Sequence, residues 1–248
     1  MADVQGDTAF IITGTQGSRG TQSSVATALG IAAENVEVQN SYLGGGFGRR
    51  FWIEPAVDAA RLSRIMGRPV KVVWDRETEF LCGFVRPSTH HTCRVRLDNA
   101  GKMIAMEYNI ASGNQFFGIL SENVPAYIPF RAILGADLNS VAHGATSNYE
   151  IENRDANIWD VEVPYNGGIW RAVGMYPNGF AIESFMNEVA HASGQDPFDF
   201  RLAHLQGDEE NVRRMREVLL RLREESDWDT DKADGIGRGL AIIEDLSL

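Results

Sequence analysis

"SYLGGGFGRR" (Ser41–Arg50) sets four glycines and two arginines within ten residues. Glycine buries no side chain and loses more backbone freedom on folding than any other residue, so a cluster of four is there for its main chain. Without Cβ atoms a chain can adopt positive φ, come close to another group, and turn successive N–H groups toward an anion. At least one of Gly44, Gly45, Gly46 and Gly48 is therefore expected at positive φ. Arg49 and Arg50 are expected to add charge-assisted contacts to a phosphate-like group. The plainer reading is a tight turn beside a strand.

The surrounding sequence places this loop. Upstream, "ENVEVQNSYL" (Glu34–Leu43) alternates through Val36 and Val38 as a strand. Before it, "TAFIITGT" (Thr8–Thr15) reads as another strand, and "QGSRGTQSSVATALG" (Gln16–Gly30) as a polar turn entering a helix that Gly30 ends. The order is strand, helix, strand, glycine loop. Downstream, Pro55 opens a second helix that Gly67 and Pro69 close, and "RPVKVVWDR" (Arg68–Arg76) reads as a short strand. "STHHTCRVRLDNAGKMIAMEYNIASG" (Ser88–Gly113) reads as a β-hairpin turning at "DNAGK".

From Asn114 to Gly168 the pattern supports loops and short strands. Helices return near Asn178, with Ile182, Phe185, Met186 and Val189 on one face and Gly194 as the stop. Asp196 caps the next helix, with Pro197 at its first position. A third helix aligns Val212, Met215, Val218, Leu219 and Leu222, leaving Arg213, Arg214, Arg216 and Arg223 for solvent. "GIGRGLAIIEDLSL" (Gly235–Leu248) begins a further apolar strand, as in a chain cut from a larger protein. The fold class expected is α+β, mixed sheets with packed helices. The division expected is residues 1–130, carrying the glycine loop, and 131–248, mainly helical toward its end.

Composition narrows the function. The 248 residues carry a net charge of −11, which argues against nucleic acid and anionic membrane as partners. Neither a run of 18 apolar residues nor a basic-then-apolar leader is present, so a soluble protein is expected, with periplasm and cytoplasm both compatible. Cys82 and Cys93 are the only cysteines and form no metal-ligand pattern. His90 and His91 precede Cys93, but neighbours on a strand point to opposite faces, and no metal ligands are assigned.

Two further loops accompany the first. Gln16 stands where a strand ends and a helix begins, beside backbone N–H groups that favour anions. "GGIWRAVGMYPNGFAIESF" (Gly167–Phe185) puts Arg171 and Gly174 just before another helix start. The glycine loop lacks the Lys-Ser/Thr of a P-loop and the spacing of GxGxxG. Three such loops could converge on one polyanionic ligand.

Together, "TGTQGSRGTQSSVATALGI", "VEVQNSYLGGGFGRR" and "WRAVGMYPNGFAIESFMNEVAHASGQDPFDFRLAHL" resemble the molybdopterin-binding large subunit of the molybdenum hydroxylases, the xanthine dehydrogenase and aldehyde oxidase superfamily. The Gly-Arg-Arg ending and "WRAVG" look most like the isoquinoline 1-oxidoreductase β-subunit branch. The resemblance implies that Gln16 is the catalytic glutamine that hydrogen-bonds an oxygen ligand of molybdenum. It implies that Gly45, Gly46, Phe47, Gly48, Arg49, Arg171 and Gly174 hold the cofactor, molybdopterin of the cytosine dinucleotide form. Phe51 and Val173 fall at substrate positions. Xanthine-type enzymes carry a carboxylate near Phe51 and an aromatic at Val173, so the substitutions argue against purine and leave N-heterocycles or aldehydes.

The resemblance also implies water-dependent hydroxylation and electron exit through an iron–sulfur small subunit or a haem acceptor. The family's glutamate base lies far downstream of Leu248, so the chain is expected to need the remainder of the large subunit. By itself it is expected to hold no molybdenum and to show no turnover. Gln16, Phe47–Gly48 and Arg171 are expected around one concavity. The alternatives are a non-catalytic binding or assembly module that kept this fold, and an unrelated nucleotide-phosphate binder.

Overall fold

The computed structural model describes residues 1–115, 138–230 and 233–245. The chain groups into two units built from non-contiguous segments: 1–88, 113–140 and 160–171 in the first, and 89–112, 141–159 and 172–248 in the second. The expected boundary at 130/131 lies outside the described residues. The grouping crosses it, because the hairpin goes with the C-terminal helices and 160–171 goes with the glycine loop.

In the first unit, β1 (Ala2–Gln5) pairs antiparallel with β2 (Thr8–Thr13), and β2 pairs parallel with β3 (Val36–Asn40) in the register Ala9↔Val36 to Thr13↔Asn40. A parallel pair needs a crossover, supplied by α1 (Ser18–Leu29), which ends at Gly30 with φ 65°. α2 (Glu54–Met66) has Pro55 in its first turn and stops at Gly67, φ 62°. Its Ala56, Val57, Ala59 and Ala60 are buried with Val25, Ala26 and Leu29 of α1 and Ala2, Val4, Ala9, Ile11 and Val36 of the sheet. Small side chains on α2 allow close approach to that layer.

One sequence expectation changes here, and one helix appears that the sequence reading did not include. "RPVKVVWDR" forms no strand: only Val70 pairs, in a single bridge to Ala2, and Val73 is exposed. The apolar run is present, but no ladder partner continues beyond Val70. After it comes a short helix, α3 (Arg76–Cys82), capped by Asp75, whose side chain accepts from the Thr78 N–H at 2.8 Å. The Asp75 cap followed by Glu77 and Glu79 was its legible signal.

In the second unit, β4 (Thr89–Leu97), β5 (Met103–Ser112) and β6 (Asn153–Asp160) form a sheet in that order. The β4–β5 hairpin turns where expected: Asp98 Oδ1 accepts from the Ala100 and Lys102 N–H groups, and Gly101 has φ 79°. A short α4 (Leu138–Ala142) precedes β6. α5 (Met175–Ala192), α6 (Pro197–Ala203) and α7 (Glu210–Glu225) follow. Met103, Tyr108 and Ile110 of β5 share a core with Ile182, Met186 and Val189 of α5, Phe198 and Phe200 of α6, and Val212, Met215 and Leu219 of α7. The architecture is α+β, with mixed sheets and packed helices.

The apolar stripe of α7 is narrower than its spacing suggests, since Val218 and Leu222 are exposed. Arg213 and Arg214 are exposed as expected, but Arg216 donates to the Gly207 carbonyl and Arg223 pairs with Asp199 and Asp229. Residues 236–245 form no strand. This segment is held by side chains instead: Arg201 and Asn187 donate to the Leu240 carbonyl, and Glu183 accepts from the Ile242 N–H. Arg201 and Glu183 are themselves a buried ion pair at 3.0 Å, joined by the Tyr149 hydroxyl at 2.8 Å. Burial, with the Glu183 carboxylate adding to it, pushes the Tyr149 phenol well above its ordinary range.

Candidate functional site

The parallel strands β2 and β3 end side by side, and the polar loops begin there. Asn40 prolongs the pairing with its side chain, accepting from the Thr15 N–H at 3.0 Å and donating to the Thr15 carbonyl at 2.8 Å. Crevices outside the carboxyl ends of parallel strands are where α/β sheets take ligands. The glycine loop crosses this end.

Thr15 and Gln16 are zipped to the far side of that loop. The buried Thr15 hydroxyl donates to the Arg50 carbonyl at 3.0 Å, and the Gln16 N–H donates to the same oxygen at 3.0 Å. Gln16 Oε1 accepts from the Gly48 N–H at 3.0 Å and the Arg50 N–H at 3.3 Å. With Oε1 committed, the amide presents its Nε2 hydrogens as donors, and among the described residues no group accepts from them. An amide so placed is a fixed donor across the whole working pH range, since it does not titrate there.

The glycines meet separate demands. Gly45 (φ 149°) and Gly48 (φ 85°) hold the positive-φ conformations expected of the loop. A Cβ on Gly46 would lie 2.3 Å from Gln16 Cδ and Oε1, and one on Gly48 would lie 2.2 Å from the Ile169 carbonyl oxygen. Phe47 has φ 52°, which a bulky residue adopts only when its surroundings impose it. Three contacts impose it. The Arg171 N–H donates to the Phe47 carbonyl at 3.1 Å, the Arg171 guanidinium lies 4.2 Å from the Phe47 ring centroid, and the ring edge fills the space beside Gly45. Phe47 and Trp170 remain 53% and 50% exposed, so this surface is open.

Gln16, Gly45, Gly46, Phe47, Gly48 and Arg171 are thus brought together within the first unit. Arg49 is not part of the open surface. Its guanidinium turns to α3 and the residues after it, pairing with Glu79 at 3.5 Å, donating to the Glu79 and Phe84 carbonyls and lying over the Phe84 ring. Phe51 rests its ring against Gly17 at the start of α1. Val173 (φ 44°) and Gly174 belong to the second unit, where Gly174 precedes α5 with φ −69°, a conformation that does not require glycine. The sequence reading missed Thr15, Asn40 and Arg86, whose Nη2 donates to the Trp170 and Arg171 carbonyls. Asn40 at a strand end was a legible signal, whereas nothing in the sequence marks Arg86.

Among the described residues the other titratable groups do not build a second centre. His91 accepts or donates to Tyr108 and Thr89, and burial with His90 nearby lowers its pKa. Burial pushes the Cys93 thiol up to about 11, the reverse of an activated nucleophile. Among the described residues no three His, Cys, Asp or Glu side chains gather as metal ligands. No helix there is long and apolar enough to cross a membrane.

Comparison with known proteins gives the family and the fold. Residues 1–205 match the family described as the molybdopterin cofactor-binding domain. Isoquinoline 1-oxidoreductase subunit beta of Brevundimonas diminuta is 30% identical over 232 residues, 92% of this chain and 28% of that protein. The aldehyde oxidoreductase molybdenum-binding subunit PaoC of Escherichia coli K12 is 29% identical over 73% of this chain and 22% of its own length. Among solved structures, quinoline 2-oxidoreductase from Pseudomonas putida 86 superposes with a TM-score of 0.72 at 19% identity, covering 92% of this chain and 30% of that one. Aldehyde oxidoreductase from Desulfovibrio gigas gives 0.73 at 18% identity, over 92% and 25%. The chain therefore spans about a quarter of the length of such relatives. By sequence and by fold, it belongs to the molybdopterin cofactor-binding domain family of the molybdenum hydroxylases.

Proposed function

We propose that the Gln16–Gly48–Arg171 surface is one wall of a molybdopterin site in an oxidoreductase that hydroxylates N-heterocycles or aldehydes with water. The observation that carries this reading is the double acceptance by Gln16 Oε1 of the Gly48 and Arg50 N–H groups, which leaves Nε2 of the exposed Gln16 as a donor beside the glycine loop. That donor set fits an oxo- and phosphate-bearing group: an amide hydrogen, glycine N–H groups, and the exposed guanidiniums of Arg50 and Arg171. A Cβ at Gly46 would displace the Gln16 amide from this donor set.

When bound, molybdopterin supplies the two-electron redox chemistry. The chain's own residues orient it and stabilise developing negative charge with donors already in place. None of these groups is a base, because an amide and a guanidinium do not accept a proton at neutral pH. The proton-accepting group is therefore assigned to the remainder of the large subunit. Gly45, Gly46, Phe47, Gly48 and Arg171 hold the cofactor and Gln16 is the catalytic donor. Arg49 contributes through its backbone alone, and Gly174, Val173 and Phe51 keep the cofactor and substrate roles that the family motif assigns them. The cytosine dinucleotide form and an iron–sulfur or haem electron acceptor complete the proposal.

The chain alone retains little cofactor, since one wall supplies only part of the ordered donors. Anaerobic titration with molybdopterin released from a purified molybdenum hydroxylase is expected to quench the fluorescence of exposed Trp170 weakly but saturably, and Gly46→Ala should abolish the effect. No quenching with the unmodified chain, or equal quenching by Gly46→Ala, would refute the site. In a dye-linked assay on N-heterocycles and aldehydes the isolated chain should show no turnover. Stoichiometric molybdenum with measurable turnover would overturn the assignment of the base to another segment.

A further inference from the structure

Arg86 lies outside every motif discussed above, yet its Nη2 donates to two consecutive carbonyls, those of Trp170 and, at 2.6 Å, Arg171. These residues are 84 and 85 positions away in sequence. The same short segment touches the glycine loop twice. The Ile169 carbonyl presses on Gly48, where a Cβ would stand 2.2 Å from it, and the Arg171 N–H donates to the Phe47 carbonyl at 3.1 Å. Residues 84–88 run beside this segment. Val85 bridges to Gly167, its N–H donating to the Asn166 carbonyl and its carbonyl accepting from the Gly168 N–H, both at 2.9 Å. The Ser88 N–H donates to the Tyr165 hydroxyl at 2.9 Å. On its other side, the Phe84 carbonyl and ring receive the Arg49 guanidinium from the end of the glycine loop.

We infer that Arg86 is a positioning residue for the cofactor loop: by clamping the Trp170 and Arg171 carbonyls it holds segment 169–171 against Phe47 and Gly48. This rests on the cofactor reading for its purpose but not for its geometry. Two acceptors suit Nη2, whose two hydrogens the planar guanidinium fork holds in fixed directions, and a charged donor makes a stronger bond than a neutral one. Among the described residues no other charged side chain donates to the Trp170 and Arg171 carbonyls. Without the clamp, Phe47 would lose its hydrogen bond and its guanidinium lid, the two contacts from this segment that impose its positive φ. Arg171 is thus set in place by one arginine and covers Phe47 with its own.

The test is residue-resolved amide exchange on the unloaded chain, with Arg86→Met and Arg86→Lys. The amides of Arg171 and Gly48 are the reporters: the Arg171 N–H donates across the contact to the Phe47 carbonyl, and Gly48, packed against the Ile169 carbonyl, donates to Gln16 Oε1 behind it. In Arg86→Met they should exchange about tenfold faster or more, the loss expected for a charged donor serving two acceptors, while Ile11 and Val38 in β2 and β3 keep their protection. Lysine keeps the charge without the fork, so Arg86→Lys should fall between the two. If Arg86→Met loses protection throughout the sheet, Arg86→Lys decides the matter by showing faster loop exchange over an intact sheet. Unchanged Gly48 and Arg171 exchange in the folded variants would overturn the inference. Since no cofactor enters this measurement, failure of the molybdopterin titration would leave the result standing on its own.

Discussion

Two alanine substitutions in the glycine loop should separate cofactor positioning from stability. At Gly46 the added Cβ meets only the Gln16 side chain, 2.3 Å from Cδ and Oε1 and 2.6 Å from Cγ, and Gly46 is not among the positive-φ residues. A long side chain can swing aside, so the clash is relieved by evicting Gln16. Two hydrogen bonds go with it, each at the low end of about 0.5 kcal/mol for an exposed position, so about 1 kcal/mol in all. The lower entropy of the unfolded alanine chain offsets about 0.4–1 kcal/mol of that loss. Gly46→Ala should therefore unfold within about 1 kcal/mol of the parent in a urea titration. At Gly48 the Cβ meets the Ile169 backbone, 2.2 Å from O and 2.8 Å from C, at φ 85°. Main chain cannot swing aside, and an L-residue is strained there, so Gly48→Ala should cost about 2–4 kcal/mol. Amide exchange should show the reverse emphasis for the first variant: Gly48 loses protection in Gly46→Ala although its stability barely moves, and Arg50 loses it in part, since its N–H also donates to the Gly46 carbonyl at 3.3 Å. Equal destabilisation by the two substitutions would refute this account, as would full protection of both amides in Gly46→Ala.

Three further outcomes follow from the second unit. Arg201→Met leaves the Glu183 carboxylate buried with only the Tyr149 hydroxyl and Ile242 N–H as donors, and should cost about 3–5 kcal/mol by denaturant titration; Glu183→Gln in the same chain should recover part of the loss, and strict additivity would refute the coupling. Asp196→Ala removes the α6 cap to the Phe198 and Asp199 N–H groups together with the acceptor of Trp228 Nε1, so about 1–2 kcal/mol should be lost and the Trp228 emission altered. The buried His204 accepts from the Met103 N–H through Nε2 and contacts the Phe200 carbonyl through Nδ1, an arrangement for the neutral ring, and burial lowers its pKa. Since its folded pKa lies below the unfolded value of about 6.5, its stabilisation is complete above that pH and declines as pH falls below it. Urea titrations at pH 7.5 and 5.5 should show the loss, reduced in His204→Gln; equal stability at the two pH values would contradict it.

Much of the architecture was legible because it depends on neighbours a few residues away. Gly30, Gly67 and Gly194 stop helices or follow their ends at positive φ, and the Asp196–Pro197 pair starts one, in each case through local backbone geometry. The strand–helix–strand order leading into a glycine loop followed from the same local signals, and so did the presence of Gln16 at one strand end and Arg171 before a helix. What local signals could not carry was pairing. β1 is a four-residue strand whose identity comes from β2, while the equally apolar Val70–Trp74 stretch finds one bridge and no ladder. Val218 and Leu222 satisfy helical spacing but have no core opposite them.

The site divides along the same line. Its residue types could be read directly, because a run of glycines has few purposes and an amide at a strand end is a fixed donor. Tertiary structure alone decided which groups meet. Arg49 and Arg171 look equivalent in sequence, yet one is committed to Glu79 and Phe84 and the other covers Phe47. Arg86, silent in sequence, holds two carbonyls more than 80 residues away. A charge in the sequence states what a side chain can bind; the partner within reach of a guanidinium is settled only when the folded backbone brings distant carbonyls and rings to hydrogen-bond distance.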